Sequence, residues 1–117
     1  MRNSGYNYPA LRQRITYQVT ADDVRLAFQA DVKLTNTGTS AWSGWSLNWA
    51  FTGGQSVSQL WNADYTQSGS TVTAKNIAWN GNVAAGSSVG FGFTGVWSGT
   101  NARPTAFRLG DQSCTVG

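Results

Sequence analysis

The sequence predicts an all-β protein, an antiparallel β-sandwich, on three observations. Apolar residues recur with a period of two along most of the chain. Clusters of Gly, Ser, Asn and Thr punctuate these runs at short intervals. The 3.6-residue period of an amphipathic helix is nowhere evident. Successive side chains of a strand point to opposite faces, so a period of two marks a strand with one buried and one wet face. Short strands separated by turn signals pack as a sandwich or a barrel.

The first run alternates Ile15, Tyr17 and Val19 with Thr16, Gln18 and Thr20, and predicts a strand over 14–20. The second sets Leu26, Phe28, Ala30, Val32 and Leu34 against Ala27, Gln29, Asp31, Lys33 and Thr35, and predicts a strand over 25–36. Asn36-Thr37-Gly38 closes it as a turn. Trp45, Leu47, Trp49 and Phe51 then alternate with Ser46, Asn48 and Ala50 over 44–52, up to the break at Gly53-Gly54. Strands are expected over 56–62 and 70–75, with Ser68-Gly69-Ser70 between them, and over 76–79 ahead of Asn80-Gly81-Asn82. Val89, Phe91 and Phe93, separated by Gly90 and Gly92, mark 88–95. A last strand is expected over 105–115, after Ser98-Gly99-Thr100-Asn101. There is no internal repeat. Residues 1–10 read as an N-terminal tail or edge segment and 11–117 as one domain, which suits a chain of 117 residues.

Charged residues make up 11% of the chain, about half the usual share, and the net charge is only +3. Hydroxyl and amide side chains fill the surface instead, as in many extracellular β domains. Lys33, Lys75, Arg103 and Arg108 are scattered, whereas a nucleic-acid binder needs a dense basic stripe. No stretch approaches the roughly 18 apolar residues of a membrane-spanning helix. Residues 1–9 lack the basic and apolar regions of a signal peptide. The chain has no His and its five acidic residues are all Asp, which removes His-based triads and Glu pairs. Asp22 and Asp23 are adjacent, so in a strand they face opposite ways and do not form a catalytic pair. No acidic loop offers a calcium site, and no glycine loop cradles a phosphate. Cys114, the single cysteine, has no His to activate it and no internal disulfide partner. The expectation is a non-enzyme without metal or cofactor.

Six Trp are far more than a chain of this length ordinarily carries. Trp45 and Trp49 share the inward phase of their strand with Leu47 and Phe51, and read as core. In Gln59-Leu60-Trp61-Asn62, Leu60 holds the inward phase, which turns Gln59 and Trp61 outward. Trp79, in Ile77-Ala78-Trp79-Asn80-Gly81, stands at the mouth of a turn. Both Trp61 and Trp79 are followed by Asn. An indole face beside amides suits a neutral sugar, whose apolar C–H face stacks on the ring while amides bond its hydroxyls. On pattern alone, exposure for binding and partial burial stand level for these two rings. Trp97, in phase with Phe91 and Phe93, reads as structural. Trp42 lies in a loop, either as an anchor or as a peripheral contact.

Several segments in order resemble the family 2 carbohydrate-binding modules, the bacterial cellulose-binding domains of secreted glycoside hydrolases. They are Gly44-Trp45-Ser46-Leu47-Asn48-Trp49-Ala50-Phe51, Val57-Ser58-Gln59-Leu60-Trp61-Asn62-Ala63 and Thr66-Gln67-Ser68-Gly69-Ser70. Asn76-Ile77-Ala78-Trp79-Asn80-Gly81, Phe91-Gly92-Phe93-Thr94-Gly95, Pro104-Thr105-Ala106-Phe107 and Cys114-Thr115-Val116-Gly117 follow. The resemblance covers about 14–117 and implies a jelly-roll-like sandwich. It also implies that Trp61 and Trp79 are two of the three coplanar surface Trp with which the family's cellulose binders stack on sugar. Gln59 falls on a polar position near one surface ring, and Asn101 matches another. The N-terminal part is altered: Ala21-Asp22-Asp23-Val24-Arg25 stands where the first surface Trp belongs, and Arg12-Gln13-Arg14 where the first Cys of a terminus-to-terminus disulfide belongs.

The expected function is therefore non-catalytic binding of a polysaccharide, cellulose or a related β-1,4-glycan, with chitin or xylan as further ligands. Trp61 and Trp79 form the stacking platform, Gln59, Asn62 and Asn80 bond hydroxyls beside it, and Asn101 is a further polar contact. The partners implied are polysaccharide and a fused glycoside hydrolase, and the location is extracellular. The alternative is a divergent or engineered sandwich with a structural or protein-interaction role, using Tyr6, Tyr8, Asp22, Asp23 and Arg25 as a new surface.

Overall fold

A computed structural model describes residues 13–22, 27–110 and 112–116. The expected tail, 1–10, lies outside the described residues, as do Asp23 and Arg25 of the alternative surface. The long strands appear where the period of two placed them: β1 (Gln13–Asp22), β2 (Ala27–Asn36), β4 (Ser46–Ala50), β5 (Ser56–Trp61), β7 (Thr71–Lys75) and β9 (Ser88–Val96). Short strands complete the set: β3 (Trp42–Ser43), β6 (Asp64–Ser68), β8 (Asn82–Val83), β10 (Phe107–Leu109), β11 (Gln112–Ser113) and β12 (Thr115–Val116). Two five-stranded sheets, in the orders β12-β1-β2-β9-β5 and β11-β10-β4-β7-β6, enclose the core.

The core consists of the inward alternates of both sheets. Ile15, Tyr17, Phe28, Ala30, Val32, Leu34, Phe91 and Phe93 come from one, and Leu47, Trp49, Val72, Ala74 and Phe107 from the other. Trp45 and Trp49 are buried as expected. Trp97 and Trp42 are half-buried against the same cluster, and Trp42 lies in the short strand β3, paired with Val83, not in a loop. Two buried amides, Asn36 and Gln55, are tied to the backbone, as apolar surroundings require. Asn36 donates to the Ser40 and Val83 carbonyls at 2.8 and 3.0 Å. Gln55 donates to the Ala102 carbonyl at 2.6 Å and accepts from the Gly53 N–H at 2.8 Å.

Four details differ from the pattern-based expectation. The single strand expected over 105–115 is three short ones, β10, β11 and β12, broken at Gly110 and at Cys114. The segment 76–79 is a turn, not a strand, because Asn80 N donates to the Ile77 carbonyl at 3.3 Å and closes the backbone there. The strand β6 escaped notice because its alternating Tyr65 and Gln67 are only half-buried and its other residues are polar. Among the described residues all ladders are antiparallel except β1 with β12, whose parallel register pairs Arg14 with Thr115 and Ile15 with Val116. This short ladder joins the first and last described strands of the chain.

Cys114 sits beside that ladder, half-buried. Burial pushes its thiol up to about 11, against the smaller opposing effects of a backbone hydrogen bond at Leu109 and the Arg108 charge. Because the folded pKa exceeds the unfolded one, the fold favours the protonated thiol. That preference is intact below pH 9 and is lost as pH rises toward 11. Thiol alkylation at pH 8 is accordingly expected to be slow in the native protein and fast in denaturant. Equal rates in the two states would contradict the buried, protonated thiol.

Candidate functional site

The outer face of the β12-β1-β2-β9-β5 sheet presents the polar alternates of its strands. A bulge at Ser58, between the Val57–Gly95 and Gln59–Thr94 pairs, shifts the phase of β5. Val57 and Leu60 therefore both pack on the core, three residues apart, and Gln59 and Trp61 both turn outward. Across the sheet, Trp61 pairs with Gly92, Gly92 with Asp31, and Asp31 with Gln18. The next row is Gln59, Thr94 and Gln29.

The Trp61 ring lies over β9 at Gly92. A Cβ at that position would come within 2.6–2.8 Å of Cζ2, Cε2 and Nε1 of the indole, so only glycine leaves room for the ring. One side of the indole is covered by the sheet, and the residue is 38% exposed. Beyond it, a shallow groove of about 500 Å³ passes over Gly90, bordered by Thr16, Gln18, Asp31, Lys33 and Ser88.

Trp79 is 70% exposed, the most of any large apolar side chain among the described residues. It occupies the third position of the Ile77–Asn80 turn. Asn76 secures the start of that turn, with Oδ1 accepting from Trp45 N at 2.8 Å and Nδ2 donating to the Ile77 carbonyl at 3.2 Å. Asn62, directly after Trp61, is exposed and has φ 67, a left-handed conformation that Asn tolerates well.

Two expected site residues are placed differently. Asn80 is only 6% exposed, and its amide is committed: Oδ1 accepts from Ile77 N at 2.9 Å and Nδ2 donates to the Asn62 carbonyl at 2.7 Å. It holds the turn together, and being buried it presents little of its amide to a sugar hydroxyl. Asn101 is half-buried and accepts at 3.4 Å from Gln55, which precedes β5. Trp61 lies six residues beyond Gln55 along β5, roughly 20 Å at 3.3 Å per residue. Asn101 therefore does not join the Trp61–Trp79 cluster. Conversely, Thr94 and Gln29 stand in line with Gln59 and are not among the expected site residues. The period-two pattern of β2 and β9 already placed both on the polar face.

A family described as the cellulose binding domain matches residues 13–114. The chain belongs to this family. As a family 2 module it is a non-catalytic polysaccharide-binding domain with a β-sandwich fold. Exoglucanase A of Cellulomonas fimi is 49% identical over 102 residues, which cover 87% of this chain and 12% of that protein. The module spans 8–16% of the length of the first three curated relatives it matches. Among solved structures, the chitin-binding domain of Chi18aC from Streptomyces coelicolor superposes with a TM-score of 0.71 at 38% identity, covering 87% of this chain and 93% of that one. The cellulose-binding family 2 domain of ScLPMO10C gives 0.62 at 32% identity, covering 80% and 89%.

Proposed function

We propose that this module binds the surface of an insoluble β-1,4-glycan, cellulose first, by stacking sugar rings on Trp61 and Trp79. The observation that carries the reading is the pair of exposed indoles. Both sit on rigid backbone, one laid over a glycine-floored strand and one on a turn locked by amides. Gln59, Thr94, Gln29 and Asn62 supply neutral hydrogen-bonding groups alongside. Neither ring needs a charge to hold a neutral glycan. Chitin is the second substrate class, since chitin-binding domains stand among the relatives. The setting proposed is extracellular, as one domain of a glycoside hydrolase. Depletion binding on microcrystalline cellulose, chitin powder and insoluble xylan tests the reading. Retention on cellulose, with competition by soluble cello-oligosaccharides, is expected. Failure to bind any of the three would overturn the proposal in favour of a structural or protein-interaction role.

Gly92 offers a sharper test of the platform. Gly92→Ala places a Cβ inside the contact distance of the Trp61 ring and must tilt or lift it. Stacking is worth about 1–3 kcal/mol per ring by analogy with bases on aromatics. A loss of about 1 kcal/mol in cellulose affinity is expected, with Trp79 unaffected. Unchanged affinity in a folded Gly92→Ala protein would show that the seat of Trp61 does not matter.

A further inference from the structure

The residues that follow the two rings are joined directly: Asn80 Nδ2 donates to the Asn62 carbonyl at 2.7 Å. We propose that Asn80 is a positioning residue for binding, whose side chain fixes where the Trp79 ring stands relative to the Trp61 ring. This rests on the assignment of those two rings as the stacking platform.

The turn carrying Trp79 has two kinds of attachment. The first ties it to the core: the Trp45 indole donates to the Asn80 carbonyl at 2.9 Å, and Asn76 bonds both Trp45 and Ile77. Gly81, just beyond, lies so close to the Asn76 amide that a Cβ there would be 2.6 Å from Nδ2. The second kind ties it to the Trp61 strand, and among the described residues it is the bond from Asn80 Nδ2. The left-handed backbone of Asn62 turns the chain sharply after Trp61, and its carbonyl takes that bond. The Asn80 carboxamide thus divides its work. Its oxygen closes the turn on Ile77 N, and its nitrogen links the turn to β5.

Removing the nitrogen leaves the turn seated on Trp45 and cuts it loose from Trp61. Two rings that meet one rigid glycan surface must present their planes together. A turn free to shift must be ordered on each encounter, at a cost in affinity. Asn80 therefore acts on binding through the relative placement of the rings, not by touching sugar.

A double-mutant cycle tests this by depletion binding on microcrystalline cellulose and chitin powder, with thermal melts alongside. Asn80→Asp keeps the size of the side chain and an oxygen facing Ile77 N–H, and replaces the donor to Asn62 by a second oxygen. It is expected to weaken binding about five- to tenfold, the scale of one lost amide hydrogen bond. Combined with Trp79→Ala it is expected to add less than about a twofold loss, since there is no longer a ring to place. An equal loss with and without Trp79, or no loss in either, would overturn the positioning role and leave the platform standing. If Trp79→Ala alone bound as tightly as the parent, the platform itself would fall, and this proposal with it. Should Asn80→Asp fail to fold, Asn80→Ser carries the same cycle, because it is smaller, uncharged and too short to reach Asn62.

Discussion

Trp49→Ala is expected to cost about 3–5 kcal/mol of stability, the range for truncating a buried aromatic. Trp49 is 2% exposed and stands at the centre of an aromatic cluster. Its ring stacks with Phe91 and Phe93 at 6.1 and 5.9 Å, meets Phe51 edge-on at 5.9 Å, and lies 5.6 Å from Phe107. Phe91 and Phe93 come from one sheet, Phe107 from the other and Phe51 from just past β4, so the cavity would open where the layers meet. The surrounding rings are held by their own strands and have little freedom to collapse into it. Small domains have only about 5–15 kcal/mol in total. Here Cys114 is the single cysteine, so the fold has no internal disulfide, a link typically worth about 2–4 kcal/mol. The variant should therefore melt far earlier in urea and be partly unfolded at 37 °C. A change below about 1 kcal/mol would mean that the cluster repacks, and the reading of Trp49 as the keystone of the core would be wrong.

How much of this was legible in the sequence depended on whether a residue's role follows from its own strand. Ile15, Phe28, Val32, Leu47 and Phe93 alternate with polar neighbours, so their burial could be read directly. Trp61 was legible for the same reason, although the parity of its strand changes at the Ser58 bulge. Leu60 beside it supplied the inward phase. Asn80 was not legible. An Asn after an exposed Trp looks like a surface amide, and only the fold brings the Asn62 carbonyl, 18 residues earlier, within reach of its Nδ2. The seat of Trp61 was half legible. Glycines at 90 and 92 within an apolar run signal a close approach, but the ring that approaches comes from β5, more than 30 residues away. Asn101 was placed by resemblance alone, and its bond to Gln55 sets it at the other end of that strand.

Trp61→Ala and Trp79→Ala are expected to weaken cellulose binding by about 1–3 kcal/mol each, roughly 5- to 150-fold, with little change in stability. The contrast with Trp49 follows from burial. Trp79 is 70% exposed, so its truncation opens no cavity and removes few packing contacts. Trp61, at 38%, covers Gly92 and gives up more; a stability loss of about 1 kcal/mol is expected there, at the centre of the range for single substitutions. The two losses need not add. If both rings meet one glycan surface, removing either leaves the other to carry a shortened contact. The double variant should then approach the background set by Gln59, Thr94 and Gln29 alone. Isotherms on microcrystalline cellulose, paired with urea melts of the same samples, separate the two effects. Were Trp79→Ala to bind normally while Trp61→Ala lost binding, the glycan would instead run over Gly90 along the groove toward Gln18. The platform would then be one ring and a polar trough rather than two rings.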